Sequence, residues 1–382
     1  MIESPPTASH RQPALDWLRG FAALIVVGFH YFHAGVRDGS IQGEQNPFVY
    51  SVFSYGYVGV HLFFMISGYV IMMSAQNASV RQFVASRVSR LMPAFWVCVT
   101  LTVLIELAVP TAPFKPESWA QYAAHLTMVP RVFGQNLIDG AYWSLAVEIN
   151  FYFWIGLAIA TGQIKRIELL LVLWLCLSLA NFVRPMYTIE VVTSAQWAPL
   201  FTAGAFFFLV RQSGWTTRRR CALLGSAALA CMYLWRENGQ GDSLEQLLAL
   251  DLSPNNLVIE AILLSYFAFF LWMIRRRTPI AASRWSDLSG RLTYPLYLIH
   301  QHAGYALFSL AAASGLIASW GMTLVTLGMI GLALLVAWAV NVGVEQRLAP
   351  LLRRWMAGRR SVNNSAPRQK TARYAEPFAD SA

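Results

Sequence analysis

LDWLRGFAALIVVGFH, residues 15–30, is an apolar run closed at each end by an ionisable side chain, Arg19 and His30. On an α-helix these two groups are about three turns apart, roughly 16 Å along the axis, and fall on nearly the same face. If the run spans a membrane, its arginine lies near one surface and its histidine near the other. Ionisable groups at membrane depth cost a few kcal/mol each, so they mark a functional site by default.

The whole chain agrees with a membrane setting. Of 382 residues 56% are hydrophobic and 13% charged, against about 25% charged in a soluble protein. Ten apolar runs follow one another, at about 14–34, 55–75, 89–109, 141–161, 167–183, 195–211, 220–235, 257–274, 292–314 and 321–343. They predict an all-α polytopic protein of about ten transmembrane helices in one bundle. Residues 1–13 read as a cytoplasmic N-terminus, 14–345 as the transmembrane domain, and 346–382 as a basic, then disordered, cytoplasmic tail. The N-terminus has no signal-peptide cleavage pattern, so the first run is expected to stay as an uncleaved anchor.

The net charge of +10 is scattered in short groups between apolar runs rather than gathered into a basic face. That distribution suits an anionic membrane surface and excludes nucleic acid as the expected partner. With the N-terminus inside, the outer loops hold five basic residues, Arg37, Lys115, Arg131, Arg184 and Arg236, which leaves 24 of the 29 on the inner side. This bias places both termini in the cytoplasm. Cys98, Cys176, Cys221 and Cys231 have no metal-ligand spacing and read as packing residues; no metal site is expected.

Depths at about 1.5 Å per residue sort the polar residues into layers. His30, His61 and Glu148 form an outer set, Arg19, Arg87 and Arg90 an inner set with the last two one turn apart, and Ser67 and His300 lie between. Each also has a plainer reading. Arg19 can snorkel or pair with Asp16; Arg87 and Arg90 can be ordinary inner-face charges; His30 can be a buried histidine bonded to a carbonyl. His61 suits helix-packing polarity and Gly68 a close helix contact. Tyr294 and Tyr297 can be interfacial anchors, with Pro295 a kink. Glu148, inside WSLAVEINFYFWIGLAIA, is the hardest to read as passive, because a carboxylate there needs a partner or water.

Six segments together resemble the acyltransferase-3 family of bacterial membrane O-acyltransferases. They are LDWLRGFAALIVVGFH, GYVGVHLFFMISGYVI, FVASRVSRLMPAFW, WSLAVEINFY, TYPLYLIHQ and VEQRLAPLLRR, in family order from residue 15 to 354. Departures from the family pattern are Ile149 and Asn150 (commonly Glu and Gln), Gln346 (often Lys or Arg) and His61 (often Asp). Some relatives carry a further C-terminal hydrolase-like domain, and none is expected here. The resemblance implies transfer of an acyl group, usually acetyl, from a cytoplasmic acyl-CoA to a hydroxyl of a cell-surface or secreted carbohydrate or glycolipid. It implies a multi-pass protein of the bacterial inner membrane, in contact with membrane lipids and with no permanently bound cofactor.

The residue chemistry fits. Guanidiniums bind phosphate oxygens through forked, charge-assisted hydrogen bonds, and imidazole is a base suited to neutral pH. The expectation is that His30 acts as general base or transient acyl carrier, with Glu148 supporting its charge. Arg19, Arg87 and Arg90 would hold the donor, and Ser67 and His300 would line the route. A transporter or flippase for a glycolipid or polar solute is the competing reading, since proton relays use the same residue types. The absence of repeated halves with matching interrupted helices argues against it.

Overall fold

The structure, a computed structural model, describes residues 12–237, 254–276 and 281–357. Its helices are α1 (Pro13–Arg37), α2 (Pro47–Ala75), α3 (Val80–Ala108), the short α4 (Trp119–His125), α5 (Gly140–Ala160), α6 (Gln163–Val183), the short α7 (Tyr187–Thr193) and α8 (Ala195–Ser213). There follow α9 (Thr217–Glu237), α10 (Pro254–Arg275), α11 (Arg284–Ile299), α12 (His302–Ala313), α13 (Leu316–Trp320), α14 (Met322–Val340) and α15 (Gln346–Ala357). No strand occurs among the described residues, and each of the ten apolar runs is helical. Seven described helices are long and apolar enough to cross a membrane, or eight if the α7–α8 pair, bent by 63°, counts as one span. The chain is an all-α, polytopic membrane protein.

Its surface fits that setting. Phe21 and Leu24 on α1, Leu169 and Leu173 on α6, and Leu327 and Leu335 on α14 face outward, where hydrocarbon rather than water can cover them. Of the cysteines, Cys98 is buried as expected of a packing residue, whereas Cys176 and Cys221 are on exposed faces. The residues between the runs at 220–235 and 257–274, and the later part of the expected tail, lie almost wholly outside the described residues.

Two close helix contacts set the frame of the site. A Cβ on Gly68 of α2 would meet the Phe201 backbone of α8, and one on Gly204 of α8 would meet the backbone of Met65. The paired glycines let the two backbones approach. On the other side, Gly20 of α1 faces Ser289 of α11, and Gly290 faces Asp16. Helices α1, α2, α3, α5 and α11 surround the polar interior, and α15 packs along α3.

Two departures from regular helix shape that interior. The last turns of α1, Phe29–Ala34, are π-helical, a widening often found at functional sites. The run predicted at 292–314 is broken between α11 and α12, at His300 and Gln301. The carbonyls freed at the break are recovered by hydroxyls: Tyr31 donates to His300 O at 2.7 Å and Tyr142 to Leu298 O at 3.0 Å. On the other side, the His302 backbone N–H donates to Asp139 Oδ2 at 2.9 Å, capping α12. Burial pushes the Asp139 carboxyl above its usual range, and the neighbouring His302 opposes that rise.

Candidate active site

Three cavities follow one another through the bundle. The widest, about 1080 Å³, is a cleft at one end lined by α1, α3, α11 and α15, including Arg19, Arg87 and Arg90. These three guanidiniums, with Tyr294, also line a narrow cavity of about 80 Å³, which continues inward past Ser67, Ser144, Glu148 and Tyr152. The narrow cavity shares Tyr297 with a third chamber of about 320 Å³, lined by His30, His61, Tyr57, Trp143, Trp197 and Glu237. Glycine spacing brings α1 against α11, so Arg19 and His30, on one helix, reach the first and the last of these spaces.

In the narrow cavity Glu148 Oε1 accepts from two hydroxyls, those of Ser67 (a very short contact) and Tyr152 (2.5 Å). The Arg87 guanidinium lies 5.8 Å from the Tyr152 ring centre, and its buried Nε has no hydrogen-bond partner among the described residues. A buried N–H without a partner costs free energy, so a ligand oxygen arriving there would be bound favourably. Arg19 is 3.6 Å from Asp16, the pairing anticipated from its i,i+3 spacing, yet it lines the cavity as well.

In the third chamber the hydrogen bonds define the histidine tautomers. His300 Nδ1 is 2.8 Å from Tyr297 O, and a carbonyl can only accept, so Nδ1 carries the proton and Nε2 the lone pair. His30 Nδ1 is 2.9 Å from Val26 O and 3.1 Å from His300 Nε2, so it also carries its proton and donates to both. The His30 lone pair is therefore on Nε2. A neutral imidazole so oriented can take a proton from a hydroxyl in the chamber. His61 Nε2 approaches Glu237 at 3.4 Å, and Trp143 and Trp197 lie with ring centres 5.0 Å apart.

Three sequence expectations need correction here. Glu148 does not sit in one layer with His30 and His61: it lines the guanidinium cavity, because α5 runs inward from Trp143 in the chamber to Tyr152 beside Arg87. Nor does His300 pair with Ser67 as a middle layer, since its partner is His30. Tyr297 is buried within the bundle rather than anchored at its interface, and Tyr294 is half-buried where the cleft meets the narrow cavity. Tyr294 donates to Leu91 O at 3.1 Å, and the Tyr297 hydroxyl is 2.7 Å from Ser144 Oγ. Pro295 does lie inside α11, and Gly68 does make the close contact.

Sequence reasoning passed over Tyr152, Ser144, Trp143, Trp197 and Glu237. Tyr152 and Ser144 lie four residues on either side of Glu148, one turn along the same helix face, which is a signal that was available. Glu237 and Trp197 meet the chamber through tertiary packing and carry no local signal.

The family model described as an acyltransferase domain matches residues 12–342. Among curated proteins, the chain is 25% identical over 254 residues to a protein named O-acetyl transferase from Shigella phage Sf6, covering 61% of this chain and 72% of that one. It is 27% identical over 202 residues to acyltransferase MdmB of Streptomyces mycarofaciens, covering 50% of each. No solved structure gives a match.

Proposed function

The chain belongs to the acyltransferase-3 family, as an acyltransferase enzyme with multiple membrane helices, and from that premise we propose a specific division of labour. The wide cleft admits a cytoplasmic acyl-CoA, probed most simply as acetyl-CoA, and the histidine chamber admits the hydroxyl of a cell-surface or secreted carbohydrate. The protein then works in a bacterial inner membrane with both termini inside. The observation that carries this reading is the meeting of the guanidinium cavity and the histidine chamber at Tyr297.

In the proposed reaction the thioester enters past Arg19, Arg87 and Arg90, and its carbonyl lies near the junction. His30 Nε2 takes the proton of the acceptor hydroxyl as its oxygen forms the new C–O bond. The C–S bond then breaks, and the proton leaves with the coenzyme A thiol. Glu148, fixed by Ser67 and Tyr152, holds the guanidiniums in place around the donor. His300 holds the His30 ring in the productive tautomer. Ring hydroxyls and C–H faces of a sugar suit the Glu237 carboxylate and the Trp143–Trp197 pair.

The narrow cavity, at about 80 Å³, is the tightest of the three spaces, which favours a short acyl group. The test is transfer from a series of acyl-CoA donors to surface glycans by protein reconstituted in vesicles, read by mass spectrometry. Acetyl transfer that falls steeply with chain length is expected. Solute flux without transfer would overturn the proposal.

A further inference from the structure

The wide cleft carries more positive charge than the reacting end of a donor needs. Arg19, Arg87 and Arg90 line both cleft and narrow cavity, whereas Arg291, Arg353 and Arg354 line the cleft alone. Arg291 is engaged by Asp287 at 2.6 Å. Arg353 and Arg354 are exposed on α15 and have no ion-pair partner among the described residues. Their helix is held firmly as a wall of the cleft. It packs along α3, Arg81 Nε donates to Met356 O at 2.5 Å, and Gln346 Nε2 donates to Asn341 Oδ1 at 2.8 Å at its start.

We propose that Arg353 and Arg354 bind the 3′-phosphate of the coenzyme A donor. The inference rests on the donor reading above and extends it to the far end of the molecule. Coenzyme A presents its phosphates in two groups: a pyrophosphate, and a phosphomonoester on the ribose, the group most remote from the thioester. The guanidiniums of the cleft are also in two groups, one next to the narrow cavity and one at the outer wall. A nucleotide-sized ligand suits a cleft of about 1080 Å³, at the upper end of small-molecule sites. A phosphomonoester carries up to two negative charges near neutral pH and accepts forked hydrogen bonds from adjacent guanidiniums.

The experiment compares equilibrium binding of coenzyme A and 3′-dephospho-coenzyme A to full-length protein in neutral detergent at low salt. Wild-type protein binds coenzyme A about tenfold more tightly. The double variant Arg353→Gln/Arg354→Gln binds both compounds alike, at the wild-type level for the dephospho compound. The variant Arg353→Lys/Arg354→Lys keeps part of the preference. Undiminished preference in the Gln variant overturns the inference, as does a wild type that binds both compounds equally; either result leaves the donor reading standing. A wild type that binds neither overturns both. Phosphatidylglycerol added to the micelles separates a lipid phosphodiester from the coenzyme. If the Gln variant loses lipid binding but keeps the coenzyme preference, the pair belongs to lipid and the inference fails.

Discussion

The guanidinium cleft and the histidine chamber are lined by several of the same helices but are assembled in different ways. Arg87 and Arg90 stand one turn apart on the regular helix α3, whose start is defined by the Ser79–Gln82 capping box. The chamber depends on irregular backbone. His30 lies in the π-helical end of α1, and His300 lies where α11 and α12 part, with Tyr31 and Tyr142 hydroxyls covering the freed carbonyls. Long, flexible side chains on a regular helix suit capture of a charged donor. A base must be held in one orientation, and here the irregular turns and the His30–His300 bond supply that constraint.

If the two regions divide the work in this way, substitutions should separate donor affinity from turnover. Replacing Arg87 with Ala removes a buried donor of charge-assisted hydrogen bonds, worth about 1.5–3 kcal/mol. Coenzyme A should bind roughly 10- to 100-fold more weakly by calorimetry, with a smaller change in kcat. Equal loss of kcat and unchanged affinity would break the comparison. Replacing His300 with Phe removes the acceptor that holds His30 Nδ1–H. Turnover should fall about tenfold, the worth of one aligned hydrogen bond, with donor affinity unchanged and an altered pH profile of kcat.

The smallest effect lies outside both regions. His125, in α4, is fully buried, with Nδ1 2.8 Å from Gln121 O and Nε2 accepting from Ile138 N–H at 2.9 Å. Burial holds its pKa below the usual histidine value of 6.5, so the unfolded chain takes up a proton more readily than the folded one. Its contribution to stability is present above about pH 6.5 and is lost as pH falls further. Thermal unfolding at pH 8 and pH 5.5 should show this loss, and the His125→Gln variant should show less of it. Asp139 is electrostatically coupled to His125, so the difference between the two proteins reads the pair.

Much of the cleft was legible because its signals are local. Apolar runs mark the helices, and Arg19, Arg87 and Arg90 stand out against apolar neighbours. The chamber was harder to read. His30 could be singled out, but counting along regular helices placed Glu148 beside it, and α5 instead carries Glu148 down to Tyr152 and Arg87. A π-turn shifts register by a fraction of a turn, and a broken helix redirects everything after it; both are stabilised by residues far away in sequence. The contacts of Tyr31 with His300 and of Asp139 with His302 join residues 269 and 163 positions apart in sequence and leave no periodicity to find. Residues 346–357, expected as the start of a tail, form α15, which packs along α3 and leaves Leu348, Leu351 and Trp355 exposed.

The central claim is that the two regions are the donor and acceptor halves of one reaction, and His30→Ala tests it most directly. The measurement is acetyl-CoA affinity and acetyl transfer on the same purified variant. The account predicts wild-type donor affinity with transfer reduced by about 10²- to 10⁴-fold, the range for loss of a general base. Transfer at the wild-type rate in that variant would contradict it.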